Sequence, residues 1–181
     1  MEKQMLPTNL ILSDMTGVHS PKGLILSLSK EDYKDPEIPR GYELKFLPPT
    51  CASHILQKWS FSYTETQEAV QERLSILKGI GAFRIDSHSL SNNDDRDNNF
   101  DSLVSWSHQY LSGAIGMTYT LPEERGKGLA GAVTLSLAKL ILDEGRIAFC
   151  YIESTNDLSL KLHQKLGFKV IGSSGISLYT T

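Results

Sequence analysis

The chain has 181 residues, is 40% hydrophobic and 22% charged, and carries a formal net charge of -3 with a pI near 5.9. That length suits one domain with a sizeable core, and the slight acidity supplies no diffuse basic field for nucleic acid. The two cysteines, Cys51 and Cys150, make no CxxC or Cys/His spacing, so neither a disulfide framework nor a metal site is expected.

Residues 1 to 38 read as an N-terminal extension with two short apolar runs, Leu10-Ile11-Leu12 and Leu24-Ile25-Leu26, ahead of a solvated stretch. No apolar run approaches bilayer length, and Met1-Glu2-Lys3-Gln4 opens neither a signal peptide nor a transit peptide, which points to the cytoplasm and away from membranes. From Gly41 the pattern becomes regular. Tyr42 to Leu47 alternates as a strand, and Pro48-Pro49-Thr50 stops it and caps a short helix through Trp59. Thr64-x-x-Gln67 resembles a capping box for a second helix with Val70, Leu74 and Leu77 on one face, ended by Gly79 and Gly81. Ala82 to Ile85 follows as a strand. The polar run from Ser89 to Asn99 is expected to be an exposed loop.

Leu103 to Ser107 and Ala114 to Tyr119 read as an antiparallel hairpin turning near Ser112-Gly113. Residues 128 to 143 form a helix that is apolar almost all round, and Gly145 terminates it. Ala148 to Ile152 is then a buried strand and Asn156 to Leu166 a last helix. Phe168 to Ile171 and Ile176 to Tyr179 are closing strands. The order β-α-α-β-β-β-α-β-α-β implies an α/β fold around a sheet of mixed direction, with one parallel crossover at the 128–143 helix.

The turn Arg125-Gly126-Lys127-Gly128-Leu129-Ala130-Gly131 opens that helix. Its glycines let an anion approach the backbone, and the first amides of the helix lack intrahelical acceptors at the positive end of the dipole. A phosphate fits there, with Arg125 and Lys127 adding charge-assisted bonds. The same residues satisfy Gly126-x-Gly128-x-x-Gly131, a dinucleotide fingerprint, with Glu153 where a ribose-binding acid would fall. Against an NAD-type reading, Pro122-Glu123-Glu124-Arg125 separates strand from glycine, the preceding strands form a hairpin, and too little chain follows Glu153 for a second half. A tight turn into a buried helix remains the plain alternative. A P-loop fails because Gly128 follows Lys127 where a Ser or Thr is required.

Arg125-x-x-Gly128-x-Ala130, closely following a strand, resembles the Arg/Gln-x-x-Gly-x-Gly/Ala motif of the GNAT acyltransferase superfamily. Asn156, Ser159, Leu162, His163, Lys165, Gly167 and Phe168 match its second motif at the same spacings. Leu103-Val104-Ser105-Trp106, with Tyr119-Thr120-Leu121-Pro122-Glu123-x-Arg125-Gly126, is similar to the glycine N-acyltransferase-like branch. The resemblance covers roughly Gly41 to Phe168. It implies a mostly antiparallel mixed sheet flanked by helices, a GNAT domain over 39–181, and residues 1–38 as the remnant of a preceding half-domain. It further implies acetyl-CoA or another acyl-CoA as co-substrate, a small amine or amino-acid acceptor, no metal, and a monomer or homodimer; a mitochondrial location is also compatible with the branch.

The mechanism so implied is direct attack of a neutral amine on the bound thioester. Backbone groups of Thr118, Tyr119 and Thr120 would hold the pantetheine arm and polarise the thioester carbonyl. His163 stands where many relatives carry the tyrosine that protonates the leaving thiolate. Glycine-conjugating relatives have a basic glutamate at the position of Ala114, which leaves Glu153 as the carboxylate nearest the cleft. Asn156 would contact the pantetheine arm or cap the last helix. Trp59, Tyr63 and Trp106 would line a pocket or belong to the core.

Overall fold

The computed structural model describes residues 22–59, 62–85 and 100–175. The expectations for Leu10-Ile11-Leu12, for the polar run 89–99 and for a strand at 176–179 lie outside the described residues.

Seven strands form one sheet: β1 (Lys22–Leu28), β2 (Tyr42–Phe46), β3 (Gly79–Arg84), β4 (Leu103–Gln109), β5 (Ile115–Thr120), β6 (Ala148–Glu153) and β7 (Lys169–Gly175), in the order β2-β3-β4-β5-β6-β1-β7. The helices are α1 (Ala52–Lys58), α2 (Gln67–Ile76), α3 (Leu129–Asp143) and α4 (Asp157–Lys165). Every neighbouring strand pair is antiparallel except β5–β6. The run Leu24-Ile25-Leu26, within the stretch read as an extension, lies in β1 between β6 and β7. Because β6 and β7 are both antiparallel to β1, they run parallel to each other, and α4 is a second crossover beyond the single one expected from sequence.

Both crossovers advance across the sheet in the same direction, so a common right hand puts α3 and α4 on one face. There Leu129, Val133, Leu137, Ala138 and Ile141 of α3 pack with Leu26, Leu28, Ile115, Cys150 and Phe168, and Leu160 of α4 and its C-cap Leu166 join them. Each such Leu or Ile taken from water contributes about 1.5–3 kcal/mol, which is why this helix forms without a strong polar face. On the opposite face Cys51, Ala52 and Ile55 of the α1 region and Val70 and Leu74 of α2 cover Leu103, Trp106 and Met117.

Two local readings are corrected. The cap of α2 is Thr66, whose Oγ1 accepts from the Ala69 amide at 3.2 Å, whereas Thr64 lies in the preceding 3₁₀ turn. Gly79 and Gly81 do not end the helix but lie in β3, where a Cβ would come within 2.8 Å of His108 Cβ and 2.7 Å of Leu103 Cδ1. Here close packing against β4, not turn geometry, requires the missing side chains.

Candidate functional site

β5 and β6 pair in parallel at Ile115 and Cys150 alone, so beyond that point the strands diverge and a cleft opens between them. The divergence begins at a bulge. Trp106 faces Tyr119 and His108 faces Gly116, so Met117 and Thr118 together oppose the single residue Ser107. Met117 takes φ +47°, the one positive value for a non-glycine residue among those described. The extra residue bends β5 and interrupts regular pairing. Ser107 Oγ spans the bulge to Thr118 Oγ1 at 2.8 Å.

Past the bulge, the Leu121 amide bonds to Val104 O of β4 at 2.9 Å, and the Tyr119 carbonyl accepts from Ser105 Oγ at 2.9 Å. Alternation along the strand then turns the backbone N–H and C=O of Thr120 the other way, toward β6, while its hydroxyl meets Ser105 Oγ of β4 at 2.8 Å. Accordingly the Thr120 carbonyl accepts from Arg125 Nε at 3.2 Å. Of the three residues expected to offer backbone to a ligand, Thr120 therefore presents its backbone to the cleft, while the Tyr119 carbonyl and the Thr118 hydroxyl are engaged with β4.

The turn into α3 stands at the end of β5. Gly126 and Gly128 have φ +79° and +86°, a region that costs an L-residue about 1–2 kcal/mol. Nothing lies within 4 Å of a Cβ built on either one, so their space opens to solvent. Gly128 is the N-cap and provides no side-chain bond; the helical ladder starts only with Ala132 N to Gly128 O at 3.0 Å. The amides of Leu129, Ala130 and Gly131 precede that ladder. Arg125 is exposed and lies over the Tyr119 ring at 5.7 Å, between turn and cleft. Beside them a cavity of about 330 Å³ runs along α3, with Pro36, Ile38 and Pro39 on one wall and Gly128, Gly131 and Leu166 on the other.

Sequence reasoning did not single out Glu124, yet it fastens this turn. Its carboxylate is 5% exposed and accepts from Lys127 Nζ at 2.6 Å, from the Tyr42 hydroxyl and from Arg84 Nε at 2.7 Å. These donors, Lys127 first and Tyr42 next, hold its pKa down at about 2. Lys127 also reaches Tyr42 Oη at 2.9 Å, so in this structure it is an internal partner of the turn, not an outward-pointing cation. An acid four residues after a strand, close to Arg125 and Lys127, was the only available sequence signal; two of its partners, Tyr42 and Arg84, lie 82 and 40 residues away.

The remaining candidates lie on β6 and α4. Glu153 is half-buried at the end of β6, opposite Gly23 of β1. Asn156 caps α4 through Oδ1, which accepts from the Ser159 amide at 3.1 Å. His163 is 4% exposed and packs edge-on against Phe168, with ring centroids 5.2 Å apart. Its Nδ1 is 2.8 Å from the Ser159 carbonyl, which can only accept, so Nδ1 carries the proton and Nε2 is the acceptor. Burial lowers the His163 pKa. Ala114 is fully buried before β5, Trp106 belongs to the core, and Tyr63 is exposed. Among the described residues no group of three or more His, Cys, Asp or Glu is placed to hold a metal, and no helix is long and apolar enough to cross a membrane.

Residues 96–175 match a family described as FR47-like protein. No curated protein matches the chain. Among solved structures it resembles a Drosophila protein with TM-score 0.74 and 21% identity, over 88% of this chain and 50% of that one. A protein of Novosphingobium aromaticivorans, placed among acetyltransferases of the GNAT family, gives TM-score 0.60 and 16% identity over 86% of this chain and 62% of that one. A GCN5-related N-acetyltransferase from Sphaerobacter thermophilus gives TM-score 0.59 and 16% identity over 90% and 55%. The chain thus spans between half and about three-fifths of the length of these proteins. Its architecture is the GNAT fold.

Proposed function

We propose that the chain is an acyl-CoA-dependent N-acyltransferase that transfers a short acyl group, acetyl among the candidates, to a small amine or amino acid. One observation carries this reading: an uncapped helix start, with two open left-handed glycines, stands at the end of the strand that splays from β6. A diphosphate on the amides of Gly126 to Gly131 would satisfy donors that the protein leaves ahead of the helical ladder. The rest of a linear ligand would then run down the cleft along Thr118, Tyr119 and Thr120, and its nucleoside end has room in the cavity beside α3. Arg125, exposed and directed along β5, contributes the charge that Lys127 gives to Glu124.

In the cleft the outward-facing backbone of Thr120 and the bulge before it would polarise the thioester carbonyl as the amine attacks. Glu153 is the proposed group that takes the amine's proton. Asn156 already caps α4, so any contact it makes with the pantetheine arm must come through its remaining Nδ2. His163 is the proposed donor to the thiolate, and its depressed pKa means that only a minor protonated fraction serves at neutral pH. The glycine N-acyltransferase-like branch is proposed on the strand motifs, with Ala114 in place of the glutamate leading away from glycine conjugation by that base. Cytoplasmic residence is likewise a proposal.

The test is a panel of acyl-CoA donors against amino acids and polyamines, read as release of free thiol. Thiol release that depends on both acyl donor and amine supports the proposal. Tight coenzyme binding with no release on any amine would show a catalytically silent acyl-CoA-binding module instead.

A further inference from the structure

Arg73 is 5% exposed beneath α2, an unusual place for a side chain that ordinarily stays in water. Its Nη2 pairs with Glu65 at 2.5 Å, in the connection between α1 and α2. Its Nη1 donates to Met117 Sδ at 3.6 Å, and its guanidinium lies over the Tyr110 ring at 5.7 Å. The Tyr110 ring in turn covers Gly116 so closely that a Cβ there would come within 2.0 Å of Tyr110 Cε2. Two groups from outside β5 therefore hold Met117, the first residue of the bulge, and Gly116, the paired residue just before it.

Met117 needs to be held. A non-glycine residue at φ +47° costs roughly 1–3 kcal/mol and persists only where its surroundings fix it. The bulge also directs the Met117 side chain toward α2, among residues of the α1 and α2 face, and sets the path of Thr118 to Thr120 along the cleft. A small displacement there moves every backbone group offered to the acyl arm.

We infer that Arg73, together with Tyr110, is a positioning residue that locks the β5 bulge and thereby sets the geometry at which backbone donors meet the thioester. The inference rests on the proposed acyl transfer. It assigns Arg73 no contact with substrate. The guanidinium fork is what joins Glu65, Met117 and the Tyr110 face at once; a lysine ammonium keeps the charge but cannot span all three.

The experiment compares wild type with Arg73→Lys by three readouts: hydrogen exchange of the peptide covering residues 114–121, acetyl-CoA affinity by calorimetry, and kcat for thiol release. The expected result is faster exchange in that peptide with unchanged exchange at the start of α3. Acetyl-CoA affinity stays within about twofold while kcat falls roughly 10- to 100-fold, as sub-ångström to 1 Å misplacement does. Unchanged exchange in that peptide, or affinity and kcat falling in proportion, overturns the inference. Should Arg73→Lys not fold, Glu65→Gln releases the other end of the guanidinium and is read the same way. If wild type neither binds acyl-CoA nor releases thiol, the acyl-transfer reading fails, and the exchange measurement alone decides whether Arg73 holds the bulge.

Discussion

Replacing Glu124 by Gln keeps the size of the side chain and removes the charge on which Lys127, Tyr42 and Arg84 converge. The carboxylate is 5% exposed, whereas the Arg84 and Lys127 side chains are 40% and 45% exposed and can return to water once released. The loss is therefore less than three full bonds and is set at that of one hydrogen bond to a buried charge, about 1.5–3 kcal/mol. For a chain of this size that lowers Tm by roughly 3–12 °C. The pH dependence is more telling. The folded pKa, about 2, lies below the ordinary value of 4.5, so the stabilisation is fully present above about pH 4.5 and is lost as pH falls toward 2. Thermal unfolding followed by circular dichroism from pH 7 to pH 2.5 should show the gap between wild type and Glu124→Gln narrowing below pH 4.5. A gap that stays constant over this range would refute the account of how the turn is fastened.

Gly128→Ala must place a Cβ at φ +86°, so about 1–2 kcal/mol of stability, or roughly 2–8 °C in Tm, should be lost; calorimetry should also show acetyl-CoA affinity reduced at least about tenfold, because the methyl enters the space left for the diphosphate. For His163, the lowered pKa predicts a kcat that declines with rising pH through a value below the ordinary 6.5, and His163→Ala should abolish that limb. A His163→Ala variant with an unchanged pH profile removes His163 from the chemistry without affecting the fold.

Elements whose evidence is local were legible in the sequence. The apolar circumference of 129–143 and Gly145 after it gave α3 and its end, and Gly113 with φ +83° gave the hairpin turn. The glycine turn ahead of α3 was visible because its glycines and its position before an apolar helix are adjacent in the chain. β1 was only half visible: a three-residue apolar run says little until its partners, at 148–153 and 169–175, are known. Glu124 and Arg73 were invisible for a related reason. Each reads as a solvated charge on a polar stretch, and only contacts that close over long spans of chain bury them. Gly79 and Gly81 were misread because a glycine after a helical pattern signals a helix end, while packing against His108 and Leu103 fixes them in a strand.

In the proposed function the amides of Gly126 to Gly131, with Arg125 beside them, grip the diphosphate of coenzyme A. Calorimetric titration of acetyl-CoA into wild type and into Arg125→Glu, with NADH as the competing ligand class, tests it most directly. The account predicts micromolar binding of acetyl-CoA to wild type, a loss of at least about tenfold in Arg125→Glu, and no comparable binding of NADH. Binding of NADH without acetyl-CoA, or equal acetyl-CoA affinity in both proteins, would contradict it.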